Sequence, residues 1–271
     1  MADGGRELTY RMPHVDVPVL LEIATRAAAA GAAVLLDYYS RPAFGVSSKS
    51  SPTDLVSAAD HDSEAAILSV IRSERPRDGI LSEEGGGVDA RSGLTWVVDP
   101  LDGTINFLYR IPAWCISLAV EDVDGGLIGV VHDPLHGETF TAIRGAGAAL
   151  NGHPITVGDK DDIATALVAT GFSYDAAARA QQAARLPALL PRVRDLRRGG
   201  SAALDLCYVA AGRFDGYFEA PMGPWDKAAG QLIAAEAGAR VRRLRAPQDL
   251  SPGVVAACPG IFDALVSLLN E

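Results

Sequence analysis

The run Trp96-Val97-Val98-Asp99-Pro100-Leu101-Asp102-Gly103-Thr104 constrains this chain more than any other. Its apolar start predicts a strand, and that strand runs straight into two aspartates three positions apart. Pro100 sets the bend, and Gly103 lets the backbone come close to a ligand. Two carboxylates on one turn repel each other unless a cation sits between them. Capping of a turn by either aspartate would leave the other acids unexplained. Glu83 and Glu84 follow a second short apolar run, Gly79-Ile80-Leu81. Asp60 stands near the start of a helix predicted over 60–74, and Asp226 lies within Pro224-Trp225-Asp226-Lys227-Ala228-Ala229-Gly230. Two strands that both finish in carboxylates bring those acids to a shared sheet edge.

Every donor in this constellation is an oxygen, with no Cys or His cluster nearby, and such a hard site selects Mg²⁺, or Mn²⁺ as its substitute, over Zn²⁺ or copper. Converging carboxylates of this number have capacity for two or three ions. A phosphate ester could bridge them, because the ions neutralise its charge and acidify a bound water. The net charge of −10 is no obstacle, since the ions supply the local positive field. That same acidity argues against non-specific binding of nucleic acid or an anionic membrane, which needs a basic excess.

With 271 residues, 48% hydrophobic and 21% charged, the chain has the composition of a globular protein with ample core. Uncharged runs such as 145–158 and 250–262 are shorter than the roughly 18 residues of a membrane span. The start, MADGGRELTYRMPHVD, lacks the basic and apolar segments of a secretory signal, so a cytoplasmic location is expected, with 1–16 as a loose tail. Cys115, Cys207 and Cys258 sit among Ala, Val and Leu and are expected as buried core residues. His132 and His136 have a helical spacing, but Pro134 between them excludes a helical zinc motif.

Apolar periodicity predicts a long helix over 17–39 and a second over 60–74. GGGVDARSG, at 85–93, reads as a surface loop. From 114 to 157, alternation with Gly-Gly, Asp-Pro and Asn-Gly turns predicts an antiparallel meander. The second half changes rhythm, with strands expected at 167–170, 194–197, 217–219, 240–244 and 254–257. Helical patterns at 178–190, 201–211, 225–237 and 261–269 separate them, which makes it an α/β half. A boundary near 150–165 divides the chain into 17–160, carrying most of the acids, and 161–271.

Taken together, Lys49-Ser50-Ser51-Pro52-Thr53-Asp54-Leu55-Val56, Glu83-Glu84, Asp99-Pro100-Leu101-Asp102-Gly103-Thr104-Ile105-Asn106-Phe107 and Trp225-Asp226-Lys227-Ala228-Ala229-Gly230 closely resemble the signature motifs of the inositol monophosphatase family. The resemblance implies an α/β fold, a five-layer αβαβα sandwich, assembled as a homodimer with lithium-sensitive, Mg²⁺-dependent phosphate monoester hydrolysis. It implies that Glu83, Asp99 and the Leu101 carbonyl hold a first ion, that Asp99, Asp102 and Asp226 hold a second, and that Glu83 helps hold a third. It makes Thr104, hydrogen-bonded to Asp60, the group that orients or deprotonates the attacking water together with Glu83. Substrate contacts implied are Asp102, Gly103, Thr104, Gly200, Ser201, Ala202, Glu219 and Asp226. Lys49 resembles a lysine near the family's active-site loop, and Glu84 is read as either an ion ligand or a supporting or dimer-contact residue. The substrate expected is inositol 1-phosphate. Histidinol phosphate, fructose 1,6-bisphosphate and a nucleotide 3′-phosphate remain alternatives, as does a non-catalytic regulatory module, and Arg194, Arg197 and Arg198 leave room for a second phosphate.

Overall fold

The computed structural model describes residues 16–40, 46–48, 55–246 and 250–269. Lys49 and its neighbours through Asp54, and the expected tail apart from Asp16, lie outside the described residues. Helices α1 (Val17–Ser40) and α2 (Ala58–Glu74) bracket an antiparallel pair, β1 (Val46–Ser48) and β2 (Leu55–Ser57). Eight strands then build the larger sheet: β3 (Gly79–Ser82), β4 (Gly86–Val88), β5 (Thr95–Asp102), β6 (Cys115–Asp122), β7 (Gly125–Asp133), β8 (Glu138–Ile143), β9 (Gly147–Leu150) and β10 (His153–Ile155). Their order is β10-β9-β8-β7-β6-β5-β3-β4, with the short α3 (Thr104–Leu108) inserted after β5. The expected meander is β6 to β10, antiparallel throughout.

The smaller sheet has the order β12-β11-β13-β15-β14, from β11 (Leu167–Thr170), β12 (Asp195–Arg197), β13 (Gly216–Glu219), β14 (Arg240–Leu244) and β15 (Gly253–Ala257). It is mixed, because β11 runs parallel to β12 and β13 while β15 runs antiparallel to β13 and β14. Helices α4 (Ala176–Ala183), α5 (Leu186–Leu189), α6 (Ala202–Ala210), α7 (Ala228–Glu236) and α8 (Pro259–Leu268) complete it. One helix expected over 178–190 is two, since Pro187 stands at the start of α5 and cannot continue the hydrogen-bond ladder of α4. The glycine-rich segment expected as a loop contributes the exposed edge strand β4, paired with β3.

Strand alternation sorts the core into four apolar interfaces. Trp96 and Val98 of β5, with Ile116, Leu118 and Val120 of β6, face α1 and α2. Val97 and Ala119, between them in sequence, face α6 and α7. The other side of α6 and α7 meets Ala169, Tyr217, Val254 and Ala256. Val168, Phe218, Val255 and Ala257 alternate to the opposite face and pack against α8. Four interfaces separate five layers, an αβαβα sandwich. The three cysteines are free and buried, as expected.

Helix α1 has the length and apolarity of a membrane span. Its Leu20, Ile23, Ala27 and Leu35 are buried in the core shared with α2 and the larger sheet, so that apolarity serves packing. Close approach of layers also demands small residues. A Cβ on Gly129 of β7 would stand 3.0 Å from the Ala229 carbonyl oxygen of α7. Gly129→Val should therefore cost about 1–3 kcal/mol through overpacking, read as a lower urea midpoint at unchanged slope.

Candidate metal and phosphate site

In a regular strand, residues three apart point to opposite faces. Asp99 pairs with Ser117 and Asp102 with Cys115, so β5 carries one residue more than β6 across this interval. That bulge, placed at Pro100-Leu101, turns both aspartates toward one pocket. Glu83 arrives from the parallel neighbour β3, its N–H donating to the Val98 carbonyl at 3.3 Å. Gly103 follows at φ 95°, where a Cβ would lie 2.9 Å from the Ala113 carbonyl oxygen. This position admits only glycine without strain. Below it, Phe107 and Trp114 meet edge-on at 5.0 Å and fix α3.

Backbone amides hold the acids in place. Asp99 Oδ1 accepts from the Leu101 N–H at 3.0 Å, and Asp226 Oδ2 from the Gly223 N–H at 2.7 Å. Asp226 was expected inside a helix starting at 225. It stands on the turn before α7, which Ala228 N–H closes onto the Pro224 carbonyl at 3.0 Å. Asp102 Oδ2 accepts from Ser201 Oγ at 2.6 Å and from Ala203 N–H at 2.7 Å, at the N-terminus of α6. A carboxylate accepts about four such contacts, so each retains capacity for a cation.

These bonds correct one expectation. The start of α6, where the resemblance places substrate contacts at Gly200, Ser201 and Ala202, is engaged by Asp102, with Ser201 also capping Leu204 N–H at 3.3 Å. The helix dipole and its orphan donors thus serve a protein carboxylate. Thr104 Oγ1, expected on Asp60, donates to the Leu101 carbonyl at 3.1 Å.

One pocket of about 350 Å³ is lined by Glu83, Asp99, Leu101, Asp102, Gly103, Thr104, Gly200, Ser201, Ala202, Glu219 and Asp226. Asp60 is buried in α2 outside the lining, close enough to Glu83 and Asp99 to raise both pKa values. Glu84 lies outside the pocket too, with its nearly buried carboxylate 3.6 Å from His61 Nδ1. Glu219 accepts from Tyr217 OH at 2.6 Å, and Gly171 leaves its carboxylate room, since a Cβ there would overlap it. Sequence reading passed over Tyr174 and Asp205, which share this lining with Arg198. Asp205 left a usable signal: a lone acid inside the apolar run Ala202-Ala203-Leu204-Asp205-Leu206-Cys207, where a solvated face has no place for it.

Burial and crowding dominate the electrostatics. Desolvation, then the charges of Asp226, Asp60, Glu84 and Asp102, push Glu83 up to about 9. Asp99 is raised well above its ordinary range by burial and then by Glu83. Asp102 rises to about 6 by burial, opposed by its bond from Ser201, and Glu219 rises to about 7 for the same first reason. Among the described residues no group of three His, Cys, Asp or Glu side chains stands close enough together to hold an ion by itself. The donor chemistry fits a hard divalent cation, because positive charge relieves the repulsion that raises every one of these groups.

The model of the inositol monophosphatase family matches residues 16–268 of the chain. The chain belongs to this family. Inositol-1-monophosphatase of Mycobacterium leprae is 45% identical over 238 residues, covering 83% of this chain and 81% of that protein. The protein named Nus factor SuhB of Escherichia coli is 38% identical over 256 residues, covering 93% and 96%. Among solved structures, extragenic suppressor protein suhB of Bartonella henselae superposes with a TM-score of 0.87 at 34% identity, covering 93% of this chain and 99% of that one. Inositol monophosphatase from Anabaena gives 0.81 at 36%, covering 94% and 97%. For this family member a pH dependence follows. Between the ordinary 4.5 of Glu83 and its folded value of about 9, the folded protein keeps a proton that the unfolded chain has released. Stability of the metal-free protein should fall as pH rises through that window. Melting temperatures in EDTA at pH 5, 7 and 9 should decline in that order, and Mg²⁺ should restore most of the loss at pH 9.

Proposed function

We propose that the chain is a Mg²⁺-dependent phosphate monoester hydrolase acting on a small polyol phosphate, with inositol 1-phosphate as its substrate. The observation that carries this reading is the convergence of Glu83, Asp99, Asp102 and Asp226 in one pocket beside Thr104 and Glu219. Glu83, Asp99, the Leu101 carbonyl, Asp102 and Asp226 are the groups to hold two or three divalent ions, Mg²⁺ or Mn²⁺. Bound there, such ions neutralise phosphate charge and acidify water.

The protein's own part is positioning and proton transfer. Glu83, ionised once positive charge offsets its acidic neighbours, takes a proton from the attacking water, while Thr104 orients that water. Asp60, buried in α2 near Glu83, adds to the negative charge around it. Backbone N–H groups at Gly103 and Thr104 face the phosphate. Glu219, steadied by Tyr217, accepts a substrate hydroxyl, and the backbone at Gly200 to Ala202 lines the ring side. A neutral polyol needs hydroxyl partners of this kind.

The relatives named Nus factor SuhB support a second reading, a regulatory module on the same scaffold. Assembly as a homodimer belongs to the first reading by family resemblance. Phosphate release with Mg²⁺ from inositol 1-phosphate, histidinol phosphate, fructose 1,6-bisphosphate and adenosine 3′,5′-bisphosphate, each beside an EDTA control, separates the two. Inositol 1-phosphate should be preferred. Asp99→Asn should lower that turnover by at least about a hundredfold, roughly 2.7 kcal/mol of barrier, with the circular dichroism spectrum unchanged. Full Mg²⁺-dependent activity in Asp99→Asn would sink the site assignment, and a chain that binds Mg²⁺ yet hydrolyses none of the four would favour the regulatory module.

A further inference from the structure

At the other end of β3 and β5, where the strands begin, two loops form a second pocket. The α2–β3 loop supplies Glu74, Arg75, Arg77 and Asp78, and the β4–β5 loop supplies Arg91 and Ser92, around a volume of about 270 Å³. The loops are joined by Arg91 N–H donating to the Arg77 carbonyl at 2.9 Å, and Leu94 N–H donates to Ser92 Oγ at 3.2 Å. The pocket walls are therefore tied to the sheet and do not depend on long free segments.

Its acids are already engaged. Asp78 is buried and accepts from Arg75 Nε at 2.8 Å, from Arg75 Nη2 at 3.1 Å and from the Trp96 indole at 3.0 Å. Glu74 accepts from Arg26 Nη2 at 3.0 Å. Charge at the end of α2 is also accounted for, with Arg72 in its last turn complementing the helix dipole. Arg77 and Arg91 are exposed at the rim and make no side-chain hydrogen bond or ion pair among the described residues. Two such guanidinium forks around one cavity concentrate positive charge at this rim.

We propose that this pocket binds the phosphate group of a small phosphorylated molecule, with Arg77 and Arg91 as its forks and Ser92 as a neutral partner. Guanidinium groups match phosphate oxygens in pairs. The volume lies at the lower end of small-molecule sites, which suits a phosphorylated metabolite and not a peptide or a nucleic-acid strand. The site needs no cation, in contrast to the acidic pocket at the opposite strand ends.

The test is calorimetric titration of pyrophosphate into the full chain in EDTA at 0.15 M salt, where screening suppresses diffuse attraction. Saturable one-to-one binding is expected, weakened at least tenfold in the Arg77→Ala/Arg91→Ala double variant. Arg198→Ala, in the acidic pocket, should bind like the unaltered chain. Lysine at both positions should recover part of the affinity, which a loss of fold would not allow. Absence of saturable binding, equal binding by the double variant, or loss of binding only in Arg198→Ala would each overturn the proposal, the last by sending the anion to the acidic pocket.

Discussion

Repulsion among Glu83, Asp99, Asp102 and Asp226 is the constraint around which this molecule is arranged. All four line one pocket, and burial raises the proton affinity of each. A fold can tolerate such a cluster only if its framework is stabilised elsewhere. Four apolar interfaces between five layers provide that stability, and Glu83, Asp99 and Asp102 sit at the ends of strands that run through two of them, with Asp226 on the turn before α7. The framework leaves the carboxylates little freedom except at their oxygens. Local amides from Leu101, Gly223 and Ala203 hold one side of Asp99, Asp226 and Asp102. That is the preorganisation a charged ligand requires, because the cost of assembling like charges is met on folding and not on binding.

Much of this was legible from residue patterns. The long helix, the meander and most strands of the second half are set by apolar periodicity, which reports burial directly. The motif acids converge because β3 and β5 are parallel neighbours, a pairing that two strands with carboxylate ends suggest. The bulge was less legible. Pro100 marks a bend, yet only the pairing of Asp99 with Ser117 and of Asp102 with Cys115 shows that an extra residue brings both acids to one face. Sequence also could not show what the start of α6 binds. Ser201 there looks equally suited to a ligand or to the protein itself, and Asp102, distant by 99 positions, decides it.

Similarity of the pocket's two ends in the chain hides a contrast in their physics. At the carboxyl ends of β3 and β5, buried carboxylates crowd one pocket and outnumber the one arginine, Arg198, in its lining. At their amino ends, the buried acid Asp78 is fully satisfied, and the charges left over are exposed arginines. Trp96 spans the two situations, since its indole holds Asp78 while its strand carries Asp99 three residues later. The rigid centre of the sheet thus supports two chemically opposite rims.

The bond from Asp102 to Ser201 and Ala203 joins β5 of the larger sheet to α6 of the middle layer. Asn106 makes a parallel tie, donating to the Gly199 carbonyl at 2.9 Å just before the same helix. The contact between the larger sheet and α6 therefore passes through a residue that also lines the acidic pocket. Asp102 thus has two kinds of partner open to it, the donors at the start of α6 that it already engages and the pocket that its carboxylate lines, so whatever draws on it from the pocket also bears on how α6 is held.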